Sequence, residues 1–217
     1  MKFRRCLTAV VVSLIWVTGP AHLAQAASTT SGTTCSARDF KGDPRLGPAV
    51  LPTGGPVGLE LLHYDRFGGL RPNQFLKTYW DPTANGGQGG WRYPPANGFA
   101  IGPTGDPIAF EVTLPPGQRL DRYGSEFGSF LSPAGLPYAS RSIPPQSLDN
   151  QAMPGGCNYH VYVVVREFKV LAGPIAPAFG QRGYGLQYLL VSSLIPGAPP
   201  TINIMWLLEN GYIQRVI

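Results

Sequence analysis

Charge, histidine and cysteine are all scarce in this 217-residue chain, and so is any long apolar run. Charged residues make up 13%, low for a cytosolic protein and ordinary for a secreted one. The common catalytic signatures are absent too: there is no G-x-S-x-G elbow, no H-E-x-x-H, no Walker loop and no G-x-G-x-x-G opening a helix. No metal cluster is visible. Beyond residue 26 only His63 and His160 remain, and His160 sits in a strand pattern between Tyr159 and Val161, where packing or solvent contact is the simplest role. Paired carboxylates for glycoside chemistry cannot be assigned either. Glu126 lies in a loop-like stretch, and Glu111 and Glu167 read as exposed strand positions.

Lys2, Arg4 and Arg5 precede an apolar run from Leu7 to Val17 and then the small-residue pattern Ala24-Gln25-Ala26. This order reads as a secretory signal, residues 1–26, cleaved after Ala26. The run is too short for a membrane span. Cleavage takes three of the 17 basic residues and leaves near balance with the 12 acidic ones. No basic patch survives, so composition makes no case for a nucleic-acid partner. Cys6 leaves with the signal. Cys35 and Cys157 remain, an even pair that in an exported protein points to one disulfide, with two free thiols as the alternative.

What the chain does have is glycine and proline, 28 and 23 residues, beside 43% hydrophobic residues. That combination predicts a loop-rich fold with a core and few long helices. Residues 27–105 read as an N-terminal extension: a Ser/Thr/Gly-rich arm, then a short helix or two over 57–80 with Arg71-Pro72 as an entry signal. Trp91 to Phe99 packs aromatics around prolines and reads as a rigid extended segment. The second half reads as β. Ile108–Leu114, Tyr159–Val165, Phe168–Leu171, Gln187–Val191, Ile202–Leu207 and Tyr212–Ile217 are candidate strands, joined too closely for crossover helices.

Between these lies Asp121–Pro145, with two arginines, four aromatics and frequent glycine, the composition of an ordered, ligand-facing loop. Arg122 and Arg141 each offer a planar fork of donors suited to phosphate oxygens. Phe130 and Tyr138 offer flat faces for a base or sugar. A second segment, Phe179–Tyr188, brings glycines such as Gly185 that permit close backbone approach, and ends on Gln187 and Tyr188.

Together, D-R-Y-G-S-x-x-G-x-F-L-S-P-x-G-x-P-Y-x-x-R-x-I-P-P and the later G-Q-R-G-Y-G-L-Q closely resemble the TNT family, the tuberculosis necrotizing toxin domain of secreted bacterial toxins and fungal surface NAD glycohydrolases. The resemblance runs from about Val112 to the C-terminus and includes V-L-A-G-P-I-A-P-A-F-G-Q (Val170–Gln181). Trp91–Phe99 looks like the family's approach segment.

The resemblance implies an α+β, β-rich fold: a twisted, mainly antiparallel sheet related to ADP-ribosyltransferases, with 106–217 as the catalytic domain and 27–105 packed on it. It implies cleavage of the nicotinamide–ribose bond of NAD or NADP outside the cell or at its surface. It assigns catalytic, substrate-contacting roles to Arg122, Phe130, Arg141 and Gln187, with Tyr138 and Gly185 as further substrate contacts. The dinucleotide is the substrate; no cofactor and no metal are implied, and a structural calcium is left open. So are a homodimer and an immunity protein or host target. Some toxin members place a histidine between the second arginine and the next strand. Ser142 to Asn158 contains none, which points to the histidine-independent, fungal-type variant. Two alternatives stand beside this reading: a transferase or cyclase of the same fold, and an inactive secreted binding module.

Overall fold

A computed structural model describes residues 32–149 and 156–216; the expected signal segment lies outside them. Proline sets the two helices of the N-terminal half. In α1 (Gly55–Glu60) and α2 (Pro72–Tyr79) a proline occupies the first turn, where its missing N–H costs no bond. α2 begins at the predicted Arg71-Pro72 entry, and the Gln74 side chain accepts from the Arg71 N–H to close its first turn. Phe75 of α2 is fully buried and packs on Phe67, Tyr79 and Trp91. A two-stranded hairpin follows, β1 (Trp80–Asp81) with β2 (Gly90–Trp91), around the single distorted turn α3 (Ala84–Gly87).

The sheet comprises β3 (Phe110–Leu114), β4 (Arg119–Tyr123), β5 (Phe130–Pro133), β6 (Tyr159–Val164), β7 (Phe168–Pro174), β8 (Leu186–Leu189) and β9 (Ile213–Arg215). Their order is β3-β7-β8-β5-β4-β6-β9, and every pairing is antiparallel. This is the α+β, mainly antiparallel arrangement expected from the short connections. Leu114, Leu120, Tyr162, Val170, Ile204 and Leu207 form the centre of the largest buried cluster. A second cluster joins Val57 of α1 to Tyr123, Tyr138 and Tyr159, and it contains the Cys35–Cys157 disulfide, with Cα atoms 5.1 Å apart.

One strand divides the sheet. The first half of β5 pairs with β8, Phe130 opposite Leu189 and Leu131 opposite Tyr188. Its second half pairs with β4, Ser132 opposite Asp121 and Pro133 opposite Leu120. Two residues per side is little to hold neighbouring strands together along their length, so β4 and β8 are joined only through this short seam.

Two expectations are corrected. The 121–145 stretch is not loop throughout: Asp121–Tyr123 ends β4 and Phe130 begins β5. Its polar residues hide the alternation because they face a site rather than water or core. Ile202–Leu207 is not a strand. It enters α4 (Ile204–Glu209), whose start is capped by the Asn203 side chain accepting from the Trp206 N–H at 2.9 Å.

Candidate functional site

At the β4–β5–β8 seam lies a cavity of about 530 Å³. Residues 93–98 form one wall, the strands contribute Asp121, Arg122, Tyr123, Phe130 and Gln187, and the turn after β5 contributes Arg141 and Ser142. Four of the six expected substrate contacts, Arg122, Phe130, Arg141 and Gln187, therefore meet on one surface.

Tyr138 and Gly185 do not line it, and both expectations are corrected. The Tyr138 ring is fully buried against Tyr64 and Tyr123, and its hydroxyl donates to the Pro144 carbonyl at 2.8 Å. It supports the turn that carries Arg141. Gly185 is needed for a backbone approach, but to the protein itself: a Cβ there would lie 2.7 Å from the Ser140 carbonyl oxygen, to which the Gly185 N–H donates at 2.9 Å.

The two arginines are held differently. Arg141 is 4% exposed. Its Nη1 and Nη2 donate to the two carboxylate oxygens of Asp121 at 2.5 and 2.8 Å, Nη2 also donates to Glu60 Oε2 at 3.0 Å, and Nε and Nη2 reach the Leu136 carbonyl. The fork expected to grip phosphate is thus filled by a carboxylate. Arg122 donates only to backbone carbonyls, Nε to Ser125 at 2.7 Å and Nη1 to Phe130 at 2.8 Å, and Nη2 has no partner among the described residues. Gly128 passes so close that a Cβ on it would overlap Arg122 Nη2. Burial lowers the Arg122 pKa. A desolvated cation without a carboxylate partner, at a cavity wall, is suited to an anionic ligand.

Gln187 is oriented by the opposite wall. Its Nε2 donates to the Asn97 carbonyl at 3.0 Å, which leaves Oε1 as an acceptor. Ala96 and Asn97 both have left-handed backbone, φ 53° and 55°, which delivers that carbonyl. Glu60 is the residue that sequence reasoning missed. It is 4% exposed on α1, accepts from Arg141 and from the hydroxyl of Tyr123 (3.1 Å), and its Oε1 lies 2.7 Å from the Tyr159 hydroxyl oxygen. Burial, with Asp121 adding to it and Arg141 opposing, pushes its carboxyl up to about 7. No spacing pattern links position 60 to positions 121–159, so only the fold reveals it.

Glu126 and His160 lie beside the site, not in it. Glu126 accepts from Arg215 and Tyr162 and ties the 124–129 loop to β9. His160 stands 3.9 Å from Glu126, and burial lowers its pKa. Among the described residues no group of three His, Cys, Asp or Glu could hold a metal ion, and no helix is long and apolar enough to cross a membrane.

Comparison with known proteins adds three findings. The profile of the family described as "Tuberculosis necrotizing toxin" matches residues 113–216. The chain is 45% identical over 175 residues to the conidial surface nicotinamide adenine dinucleotide glycohydrolase nadA of Aspergillus fumigatus, covering 81% of this chain and 70% of that protein. Among solved structures, tuberculosis necrotizing toxin complexed with its immunity factor IFT superimposes with a TM-score of 0.58 at 18% identity, covering 88% of this chain and 96% of that one.

Proposed function

Because this chain belongs to the tuberculosis necrotizing toxin family, we propose that it is an NAD glycohydrolase, secreted or held at the cell surface, which releases nicotinamide and ADP-ribose. The observation that carries the assignment of residues is the meeting on one cavity of Arg122, whose Nη2 has no partner among the described residues, the Phe130 ring and an oriented Gln187 amide.

Nicotinamide in the oxidised dinucleotide is already cationic and leaves neutral, so its departure needs no proton. The transition state resembles an oxocarbenium ion, and catalysis rests on orientation and electrostatics. Arg122 holds the pyrophosphate through the guanidinium face not used by Ser125 and Phe130. Arg141, its fork filled by Asp121, contributes one remaining Nη1 hydrogen and the shape of the wall. The Phe130 face lies along the ribose and favours the developing cation by about 0.5–2 kcal/mol once water is excluded. Gln187 Oε1 accepts from a ribose hydroxyl or from the attacking water. NAD and NADP both carry the groups this scheme uses. The chemistry calls on no cofactor and no metal.

The test is to incubate the protein with NAD and follow nicotinamide and ADP-ribose by chromatography. Both products should appear together, and Arg122→Ala should lower kcat/KM by about 10–1,000-fold. A wild-type protein that leaves NAD intact would overturn the reading, and a fully active Arg122→Ala variant would move the site elsewhere.

A further inference from the structure

Beneath the cavity wall two carboxyl groups share one guanidinium and one phenol. Asp121 takes Nη1 and Nη2 of Arg141, and Glu60 takes Nη2 from another direction. Tyr159 Oη lies 2.7 Å from Glu60 Oε1 and 3.0 Å from Asp121 Oδ2. A phenol has one hydrogen and cannot donate to both. The contacts are all satisfied when one carboxyl carries a proton and donates it to Tyr159 Oη, while Tyr159 donates onward to the other carboxylate. Asp121 is the member gripped by both guanidinium nitrogens, so Glu60 is the one to hold the proton.

We propose that Glu60 is a positioning residue of the reaction. As a carboxylic acid it completes the chain Glu60–Tyr159–Asp121–Arg141 that fixes Arg141 at the cavity wall, and its ionisation sets the charge beneath the substrate's pyrophosphate. The inference rests on the glycohydrolase reading and adds to it a residue outside the region matched by the family profile.

The groups facing Glu60 are Asp121 and Tyr123 on β4, Tyr159 on β6, and Arg141 in the turn after β5. With Glu60 protonated, Arg141 and Asp121 cancel. With Glu60 ionised, the cluster carries one net negative charge close to the anionic pyrophosphate. Burial raises the carboxyl to about 7. Substrate binding therefore weakens as pH rises through neutrality, and by reciprocity binding near pH 7 draws a proton from solvent onto Glu60.

The experiment measures kcat and KM for NAD from about pH 5.5 to about pH 8.5 in the wild type, Glu60→Gln and Glu60→Ala. The wild-type KM should rise about three- to tenfold across the range while kcat stays nearly level. Glu60→Gln, whose amide can donate to Tyr159 and accept from Arg141, should keep the larger part of turnover with a level KM. Glu60→Ala, which removes the anchor, should lose about tenfold or more in kcat/KM. Titration calorimetry of the wild type with ADP-ribose, in two buffers of different ionisation enthalpy, needs no variant to fold and should show proton uptake near pH 7. An active wild type with a level KM, a KM rise that persists in Glu60→Gln, or binding without proton uptake would each overturn the proposal and leave the glycohydrolase reading standing. Absence of NAD cleavage in the wild type would instead remove that reading.

Discussion

A guanidinium has five N–H donors, and their existing partners decide what the residue can still bind. Arg141 gives most of its donors to Asp121, Glu60 and Leu136, whereas Arg122 gives two to backbone carbonyls and keeps Nη2 unpartnered among the described residues. The same substitution should therefore separate the two. Arg122→Ala should lose turnover with little change in Tm. Arg141→Ala should lose turnover and also about 3–5 kcal/mol of stability, because Asp121 and Glu60 would be left as buried acids without their cation. Thermal melts run beside the kinetics check this, and equal Tm losses would contradict it. Gly128→Ala offers a finer probe. Its backbone φ is ordinary, but the added methyl would occupy the position of Arg122 Nη2, so activity should fall towards that of Arg122→Ala in a protein that still folds. Both arginines were legible from their motifs as candidate site residues, and both line the cavity. Their unequal duties were not, since Glu60 arrives from α1, 81 positions before Arg141.

At the scale of elements, the site exists because β5 is shared. It spends two residues on β8 and two on β4, and the residues beside that handover, Arg122, Phe130 and Gln187, line the cavity. The remaining wall is the proline-rich 93–98 segment, whose Asn97 carbonyl fixes the amide of Gln187. The strands on the periphery were readable from their β-branched and aromatic runs. β4 and β5 were not, because Asp121, Arg122 and Ser132 replace the apolar alternation with site chemistry. The Ile202–Leu207 run misleads in another way: its apolar residues fit either period, and the deciding signal is the Asn203 cap. The Asn97 contact also has a measurable consequence. In Gln187→Glu, an ionised carboxylate would face a carbonyl oxygen, so the folded protein would favour the protonated acid. NAD cleavage should be weak in this variant, greatest at low pH and lost as pH rises, whereas the wild-type kcat stays nearly level. A pH-independent Gln187→Glu enzyme would show that the Asn97 carbonyl does not control this amide.

Across the whole molecule, two of the links that tie the N-terminal half to the sheet bear directly on stability. One is the Cys35–Cys157 disulfide, which spans 122 positions and is buried in the same cluster as Val57 and Tyr159. Restricting so long a loop in the unfolded chain contributes about 2–4 kcal/mol, so Cys35→Ala should lower Tm while the residues lining the cavity keep their places. The other link is Glu60, and it makes stability depend on pH. Its folded value is raised to about 7 from an ordinary 4.5, so between those values the folded protein binds a proton that the unfolded chain has lost. The stabilisation is complete below about pH 4.5 and is lost as pH rises towards 7. Asp149, pushed to about 7 by burial and by Asp39, acts with the same sign in the same window. The lowered carboxyls Asp43, Asp81 and Glu126 act with the opposite sign in the acid range below it, and His160, held below its ordinary 6.5 by burial, opposes within the window as one group against two. Melting curves should therefore show Tm falling by about 5 °C between about pH 5 and about pH 7.5. In Glu60→Gln the fall should shrink to the share owed to Asp149 less the opposing share of His160. A wild-type Tm that climbs steadily across that interval would mean that Glu60 enters the fold ionised, with both carboxylates held by Arg141 alone.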